Sequence, residues 1–233
     1  MKGQSSMKVI NNKNTKNTKN IIKAVIFDLD GVIVDTAKFH FQAWKRLAQE
    51  LSIDNFDEKE NEKLKGVSRM ASLEIILGLK KGLSEQISEE EKKRLSDLKN
   101  AWYLELVDTM TPDDVLLGVR PFMADLRKAS ISMAIGSSSK NALKILEKIG
   151  MLGEFTAVVD GNKITHSKPH PEVFLKAAEE LSLPPSKCLV LEDAQAGIEA
   201  AKRAQMAVIG IGSPLNLVGA ARVVPSMMEM KMN

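Results

Sequence analysis

The chain has 233 residues, of which 44% are hydrophobic and 27% are charged, and it contains one cysteine. This length suits one large domain or a core with a smaller insertion. A single cysteine excludes an internal disulfide, and no uninterrupted apolar run approaches the ~18 residues that a membrane helix needs. Residues 1–20 carry five lysines and no acid, which takes the formal charge of the remainder from +3 to −2. We therefore expect a cytoplasmic, monomeric protein that binds neither nucleic acid nor membranes.

The first twenty residues are rich in asparagine, lysine and threonine and have no apolar h-region. Such a polar, repetitive segment cannot bury enough apolar surface to fold, and it is not a secretory signal. We predict a disordered leader over residues 1–20.

From residue 21 onward, short apolar runs alternate with segments of helical periodicity. The runs contain few polar residues, as is typical of strands that are buried on both faces of a parallel sheet. The segments between them have apolar spacings of three and four, and two open on proline. This alternation predicts a doubly wound, parallel, Rossmann-like α/β core. We expect strands at 24–27, 131–135, 157–159, 189–191, 208–211 and 222–224, and helices at 121–129, 141–149, 171–181 and 196–204.

One long stretch between the first two predicted strands breaks this alternation. It has helical periodicity at 39–51, 72–79 and 89–107 and no convincing strand. We interpret it as an inserted α-helical cap domain. The predicted division is a cap over residues 36–110, a core over 21–35 and 111–226, and a methionine-rich tail over 227–233.

Two carboxylates, Asp28 and Asp30, directly follow the first predicted strand. Side chains at i and i+2 of an extended chain point to the same face, so the two charges meet where the sheet ends. A bound cation, a shared proton, or a nucleophile paired with an acid/base group can hold such a pair. The alternative is a purely structural role, in which the two acids cap turns. It leaves the charge repulsion unexplained, so we favour a functional role for the pair.

Further polar groups follow other predicted strands. Ser137 follows the second, Glu192 and Asp193 follow the fourth, and Lys168 precedes the helix that opens at Pro171. Ligands of open parallel sheets bind at the carboxyl ends of the strands. There, hydroxyls and backbone N–H groups can hold phosphate oxygens, and acids can hold magnesium. Each group alone has an ordinary structural explanation, but their coincidence at one sheet edge predicts a phosphoryl-transfer site.

In order and spacing these motifs resemble those of the haloacid dehalogenase superfamily, over roughly residues 21–225. The resemblance implies that Asp28 is the nucleophile, which forms an aspartyl phosphate, and that Asp30 is the general acid/base. It implies that Ser137 and Lys168 bind the transferring phosphoryl group. It also implies that Mg²⁺ is the cofactor, held by Asp28, the main-chain carbonyl of Asp30 and Asp193, with Glu192 either as a further ligand or as a hydrogen-bond acceptor behind the ligands.

Residues of the predicted cap resemble, more narrowly, the hexose-phosphate mutases of that superfamily. A mutase has to hold a bisphosphate intermediate at both ends, and Arg69 suits the second phosphate because guanidinium groups bind phosphate bidentately. This resemblance implies a sugar-phosphate substrate and phosphoryl transfer between C1 and C6 of glucose. The implied substrate-binding residues are His40, Trp44, Gly66, Val67, Ser68, Arg69, Ser72 and Lys99 in the cap and Ser138, Ser139, Lys140 and Asn141 in the core.

Two other functions stay open at the level of sequence. A sugar-phosphate phosphatase would use the same core and differ in cap chemistry and in how water reaches the aspartyl phosphate. A non-catalytic phospho-acceptor and magnesium-binding module would also place acids and a lysine at parallel strand ends, although such modules lack a large cap. One departure from the superfamily pattern is Ser138, which stands where alanine is usual.

Overall fold

The structure is a computed structural model, which describes residues 22–64 and 67–231. The predicted leader over residues 1–20 lies outside the described residues, and so does the predicted substrate contact at Gly66. In the described part of the chain, no helix is long and apolar enough to cross a membrane.

Six strands form one sheet with the order β3-β2-β1-β4-β5-β6, and all neighbouring strands are parallel. The chain runs outward from β1 to β3 and then returns to β4 on the other side of β1. The prediction of a doubly wound parallel core is therefore confirmed, and the reversal of direction places a crevice beyond the ends of β1 and β4. The strands are β1 (Ala24–Phe27), β2 (Ser132–Gly136), β3 (Ala157–Val159), β4 (Cys188–Glu192), β5 (Ala207–Ile211) and β6 (Arg222–Val224).

Helices cover both faces of the sheet and also fill the connection between β1 and β2. Every predicted strand is present within one residue at either end, and every predicted helix is present with small shifts of its ends. The helices are α1 (Ala37–Glu50), α2 (Glu58–Glu62), α3 (Arg69–Gly78), α4 (Leu83–Gln86), α5 (Glu89–Val107), α6 (Val119–Lys128), α7 (Ala142–Lys148), α8 (Glu172–Glu180) and α9 (Gln195–Arg203).

The apolar run of β1 exists because both faces of this central strand are covered. Val25 and Phe27 lie in the apolar core on one side of the sheet, and Ala24 and Ile26 lie in the core on the other side. All four are fully buried. Successive side chains of a strand point to opposite faces, so a strand buried on both sides needs an unbroken apolar sequence.

The connection between β1 and β2 contains α1 to α5, which we call the helical insertion. Its main contact is the packing of α1 against α5, where Trp44, Leu47 and Tyr103 are buried. Helix α3 begins at Arg69, three residues before the predicted start, because the Ser68 hydroxyl accepts a hydrogen bond from the Ala71 N–H and caps the helix. This cap places Arg69 in the first turn of α3.

We expect Phe27→Ala to lower the free energy of unfolding by about 3–5 kcal/mol, because it removes a fully buried aromatic ring and leaves a cavity. The ring lies edge-on to Phe122 and Phe155, with centroid distances of 6.3 and 5.9 Å. Urea denaturation measures the change. Phe41→Ala in α1 is the control, because Phe41 is only half-buried, and equal losses in the two variants would contradict the assignment of the core.

Candidate active site

The ends of β1 and β4 bring two acids together. Phe27 pairs with Leu191 in the parallel register, and the Asp28 N–H donates to the Leu191 carbonyl at 2.9 Å. Asp28 follows β1, and Glu192 is the last residue of β4. The register alone therefore sets these two side chains next to each other.

Lys168 lies between these two acids. Its Nζ donates to Asp28 Oδ1 at 2.6 Å and to Glu192 Oε1 at 2.5 Å, and the side chains are 1%, 10% and 0% exposed, respectively. Burial disfavours the charged form of the lysine, but the two carboxylates outweigh burial and raise the pKa of Lys168 above its ordinary value. Lys168 is therefore an ammonium ion at the bottom of the crevice.

Glu192 is held from several sides. Its Oε2 accepts a hydrogen bond from the Ala194 N–H at 2.8 Å, and Gly197 leaves room for it, because a Cβ at residue 197 would lie 1.8 Å from Oε1. Burial raises the pKa of Glu192, Lys168 opposes this effect, and the charge of Asp28 adds to it. The carboxyl group is thus fixed in position below the surface of the crevice.

Asp30 has a different environment from Asp28. The Thr36 hydroxyl, at the N-cap of α1, donates to Asp30 Oδ1. Burial raises the pKa of Asp30 to about 6, the charge of Asp28 adds to this rise, and the Thr36 hydrogen bond and Lys168 lower it. Asp30 therefore carries a proton more readily than an ordinary aspartate, as a general acid requires.

Acid side chains at the crevice fit a divalent cation. Asp28, Glu192 and Asp193 each offer a carboxylate oxygen, and these oxygens lie within 4.8 Å of one another. The Asp193 carboxylate packs against the α-carbon of Gly31, where a Cβ would lie 2.0 Å from Oδ2 and where φ is +81°. Carboxylate oxygens are the ligands that hard cations such as magnesium and calcium prefer.

The end of β2 forms the opposite wall. Ser137 is buried, and its Oγ accepts a hydrogen bond from the Ser139 N–H at 3.1 Å. Asn141 connects this wall to α5 through a 2.9 Å hydrogen bond from its Nδ2 to Asn100 Oδ1. The Ser138 Oγ is buried and has no hydrogen-bond partner in the described residues, so the departure from alanine adds a free hydroxyl beside Ser137.

The helical insertion contributes positively charged and aromatic groups. Lys99 is 1% exposed, its Nζ lies 2.8 Å from His40 Nδ1, and it sits over the Trp44 ring at 4.5 Å from the centroid. Burial lowers the pKa of both Lys99 and His40, and the charge of Arg69 lowers both further. Arg69 Nη1 lies 3.6 Å from Asp97 Oδ1.

One cleft between the insertion and the sheet contains nearly all the residues expected from the sequence. Glu192 lies beneath the cleft wall, and Gly66 is outside the described residues. Those that line the cleft are Asp28, Asp30, His40, Trp44, Val67, Ser68, Arg69, Ser72, Lys99, Ser137, Ser138, Ser139, Lys140, Asn141, Lys168 and Asp193.

Three contacts around the cleft were not expected from the sequence. Thr36 holds Asp30, and Asn100 holds Asn141. Gly161 allows the segment after β3 to approach the Ser138 carbonyl, which would lie 2.4 Å from a Cβ at residue 161. A threonine at the start of a predicted helix, close after two acids, was a usable signal for the first. The other two depend on the approach of distant segments.

The comparisons with known proteins agree with this fold. The chain matches the family model described as "Haloacid dehalogenase-like hydrolase" over residues 25–211. It is 43% identical over 203 residues to the Beta-phosphoglucomutase of Bacillus subtilis (strain 168), covering 87% of this chain and 89% of that protein. It is 31% identical over 201 residues to a "Phosphorylated carbohydrates phosphatase" of Thermotoga maritima, covering 84% and 88%, respectively.

A solved structure gives the same result. The crystal structure of beta-phosphoglucomutase from Clostridium difficile matches with a TM-score of 0.86 and 43% identity, covering 91% of this chain and 94% of that one. The parallel six-stranded sheet, the family match and these relatives show that the chain belongs to the haloacid dehalogenase-like hydrolase family.

Proposed function

We propose that the chain is a β-phosphoglucomutase, an isomerase that interconverts β-D-glucose 1-phosphate and D-glucose 6-phosphate through β-glucose 1,6-bisphosphate. The observation that carries this proposal is a single cleft that is lined by Asp28 and Lys168 of the core and by Arg69 of the helical insertion. A bisphosphate presents one phosphate to each side of such a cleft. The 43% identity to the Bacillus subtilis enzyme supports the same activity.

In the proposed reaction, Asp28 is the nucleophile. One carboxylate oxygen of Asp28 forms a bond to phosphorus while the bond from phosphorus to the sugar oxygen breaks, which leaves an aspartyl phosphate. Asp30 gives its proton to the departing sugar oxygen and later takes a proton from the attacking hydroxyl. Its pKa of about 6 supports this role, because both protonation states are then accessible near neutral pH.

Lys168 and Ser137 are proposed to bind the oxygens of the transferring phosphoryl group. Lys168 is already an ammonium ion between Asp28 and Glu192, so it can stabilise negative charge without reorganisation. The family's divalent metal is proposed to be Mg²⁺, held by Asp28, the main-chain carbonyl of Asp30, Glu192 and Asp193. When bound, it supplies positive charge beside the transferring oxygens.

The sugar and its second phosphate are proposed to lie between the insertion and the end of β2. Arg69 binds the distal phosphate, and His40 and Lys99, whose Nδ1 and Nζ lie 2.8 Å apart, contact the substrate from the same insertion. The remaining proposed substrate contacts are Trp44, Val67, Ser68, Ser72, Ser138, Ser139, Lys140 and Asn141.

A sugar-phosphate phosphatase is the second candidate, favoured by the 31% identity to the Thermotoga maritima phosphatase. The same core would form the aspartyl phosphate, and water would then hydrolyse it. A non-catalytic phospho-acceptor module has less support, because both of these relatives bear the names of enzymes.

Phosphorus NMR distinguishes the two candidates. We expect the purified protein, given Mg²⁺, β-glucose 1-phosphate and a trace of the 1,6-bisphosphate, to form glucose 6-phosphate with little free phosphate. The α-anomer is the matched control substrate and should not be converted. Release of inorganic phosphate without glucose 6-phosphate would refute the mutase and favour the phosphatase.

Arg69→Ala should lower the mutase kcat/KM by about 10- to 100-fold, because charge-assisted hydrogen bonds to a phosphate contribute about 1.5–3 kcal/mol. Hydrolysis of acetyl phosphate, which has no distal phosphate, should change far less. Arg94→Ala is the control, since Arg94 is an exposed arginine of the same insertion that pairs with Glu91. An equal loss of both activities in Arg69→Ala would contradict the proposed role.

Gly31→Ala should weaken Mg²⁺ binding by about 10- to 100-fold, because the new Cβ lies 2.0 Å from Asp193 Oδ2 and pushes this carboxylate away. Gly78→Ala is the matched control, since, apart from its own helix backbone and chain neighbours, no described residue has an atom within 4 Å of a Cβ at residue 78. The measurement is the Mg²⁺ concentration at half-maximal activity. An unchanged value in Gly31→Ala would argue against Asp193 as a ligand.

A further inference from the structure

A second group of metal-binding side chains lies away from the acids of the cleft. His166, His170 and Glu172 each offer a donor atom, and these three atoms lie within 4.8 Å of one another. They belong to the loop between β3 and α8 and to the first residue of α8. We propose that they bind a divalent transition-metal ion of the zinc class.

The spacing of two donors already suits one ion. His166 Nδ1 lies 3.2 Å from Glu172 Oε2. Two ligands of a tetrahedral zinc ion, each at about 2.0–2.1 Å from the metal, are about 3.3 Å apart. The ion can therefore bind both atoms with little movement of either side chain.

His170 supplies the third donor. Its ring centroid lies 4.5 Å from that of His166, and both rings are exposed and can turn toward a common ion. In the structure its Nδ1 accepts a long, 3.3 Å hydrogen bond from the Glu172 N–H. This contact is at the edge of hydrogen-bonding distance, so a metal–nitrogen bond replaces a weak interaction.

The carboxylate is preorganised for a cation. Glu172 Oε1 accepts from the Thr165 N–H and lies 3.0 Å from Lys176 Nζ, while Oε2 accepts from the His166 N–H at 2.8 Å. The Thr165 N–H, the Lys176 ammonium and the His166 N–H lower the pKa of Glu172 to about 2. Glu172 is thus ionised and held in place, and Lys176 occupies the oxygen that is not paired with His166.

The chemistry of this site differs from that of the cleft. Imidazole nitrogens suit zinc, copper and nickel, whereas the carboxylates of the cleft suit magnesium. Three protein ligands leave one position of a tetrahedral ion for water. In sequence, His166 and His170 flank Lys168, whose Nζ is buried on the cleft side. A bound ion therefore restrains, from the outer face, the loop that carries Lys168.

Imidazole NMR during a Zn²⁺ titration tests the site directly. Excess Mg²⁺ is present throughout to occupy the carboxylates of the cleft. The chain has three histidines, so each ring can be followed, and half-buried His40 in the cleft serves as an internal reference. We expect the ring signals of His166 and His170 to shift at one equivalent of Zn²⁺ while those of His40 stay unchanged. Shifts confined to His40, or no shift at all, would overturn the proposal.

Variants give the second test, by calorimetric titration of Zn²⁺ in the same buffer. The double variant His166→Gln/His170→Asn should bind Zn²⁺ at least about tenfold more weakly than the wild type. Removal of a residue that only supports a metal ligand already costs about that much affinity. Glu172→Gln should also bind more weakly. Glu180→Gln is the matched control, because Glu180 is an acid of the same helix that pairs with Lys163. Unchanged affinity in the double variant would refute the site.

Thermal denaturation tests whether Zn²⁺ bound at this loop stabilises the folded protein. An ion that binds only the folded protein raises the Tm. We expect Zn²⁺ to raise the Tm of the wild type and of Glu180→Gln, but not that of the double variant. Without Zn²⁺ the double variant should have the Tm of the wild type, because both histidines are exposed. An equal rise in the double variant would place the ion elsewhere and overturn the proposal.

Discussion

The buried ion-pair cluster of Lys168 with Asp28 and Glu192 is the constraint on which the site depends. Parallel pairing of β1 with β4 forces the two acids together in a place that excludes most water. Desolvation of such charges can cost more than their attraction returns, so the cluster is poorly explained as a source of stability. It is better explained as a site preorganised to bind a charged ligand, with the Lys168 loop held at the strand ends by two short hydrogen bonds.

Small residues make this crowding possible. Gly197 and Gly31 each leave space that a Cβ would fill, the first for Glu192 and the second for Asp193. The positive φ of Gly31 also turns the chain directly after Asp30, so that Thr36 can reach back to its carboxyl group. The geometry of the four acids therefore depends on the absence of a side chain at residues 31 and 197 as much as on the acids themselves.

The sequence was sufficient to predict the sheet, because strands buried on both faces need unbroken apolar runs. The positions of Asp28, Ser137 and Glu192 followed from the rule that ligands bind at the carboxyl ends of parallel strands. The short polar helices α2 and α4 were not foreseen, since four or five residues carry no usable periodicity. Contacts between distant segments, such as Asn100 with Asn141, have no local signal in either partner.

The difference between a mutase and a phosphatase lies in the helical insertion rather than in the core. In the proposed function the core forms an aspartyl phosphate in either enzyme, but the insertion places Lys99, His40 and Arg69 together on its own side of the cleft. Burial and the charge of Arg69 lower the pKa of Lys99, and the charge of Asp30 offsets only part of this effect. An anionic group bound on this side, such as the second phosphate of a bisphosphate, counteracts the effect of the Arg69 charge. The electrostatics of the insertion thus favour a ligand that brings an anionic group to its side of the cleft.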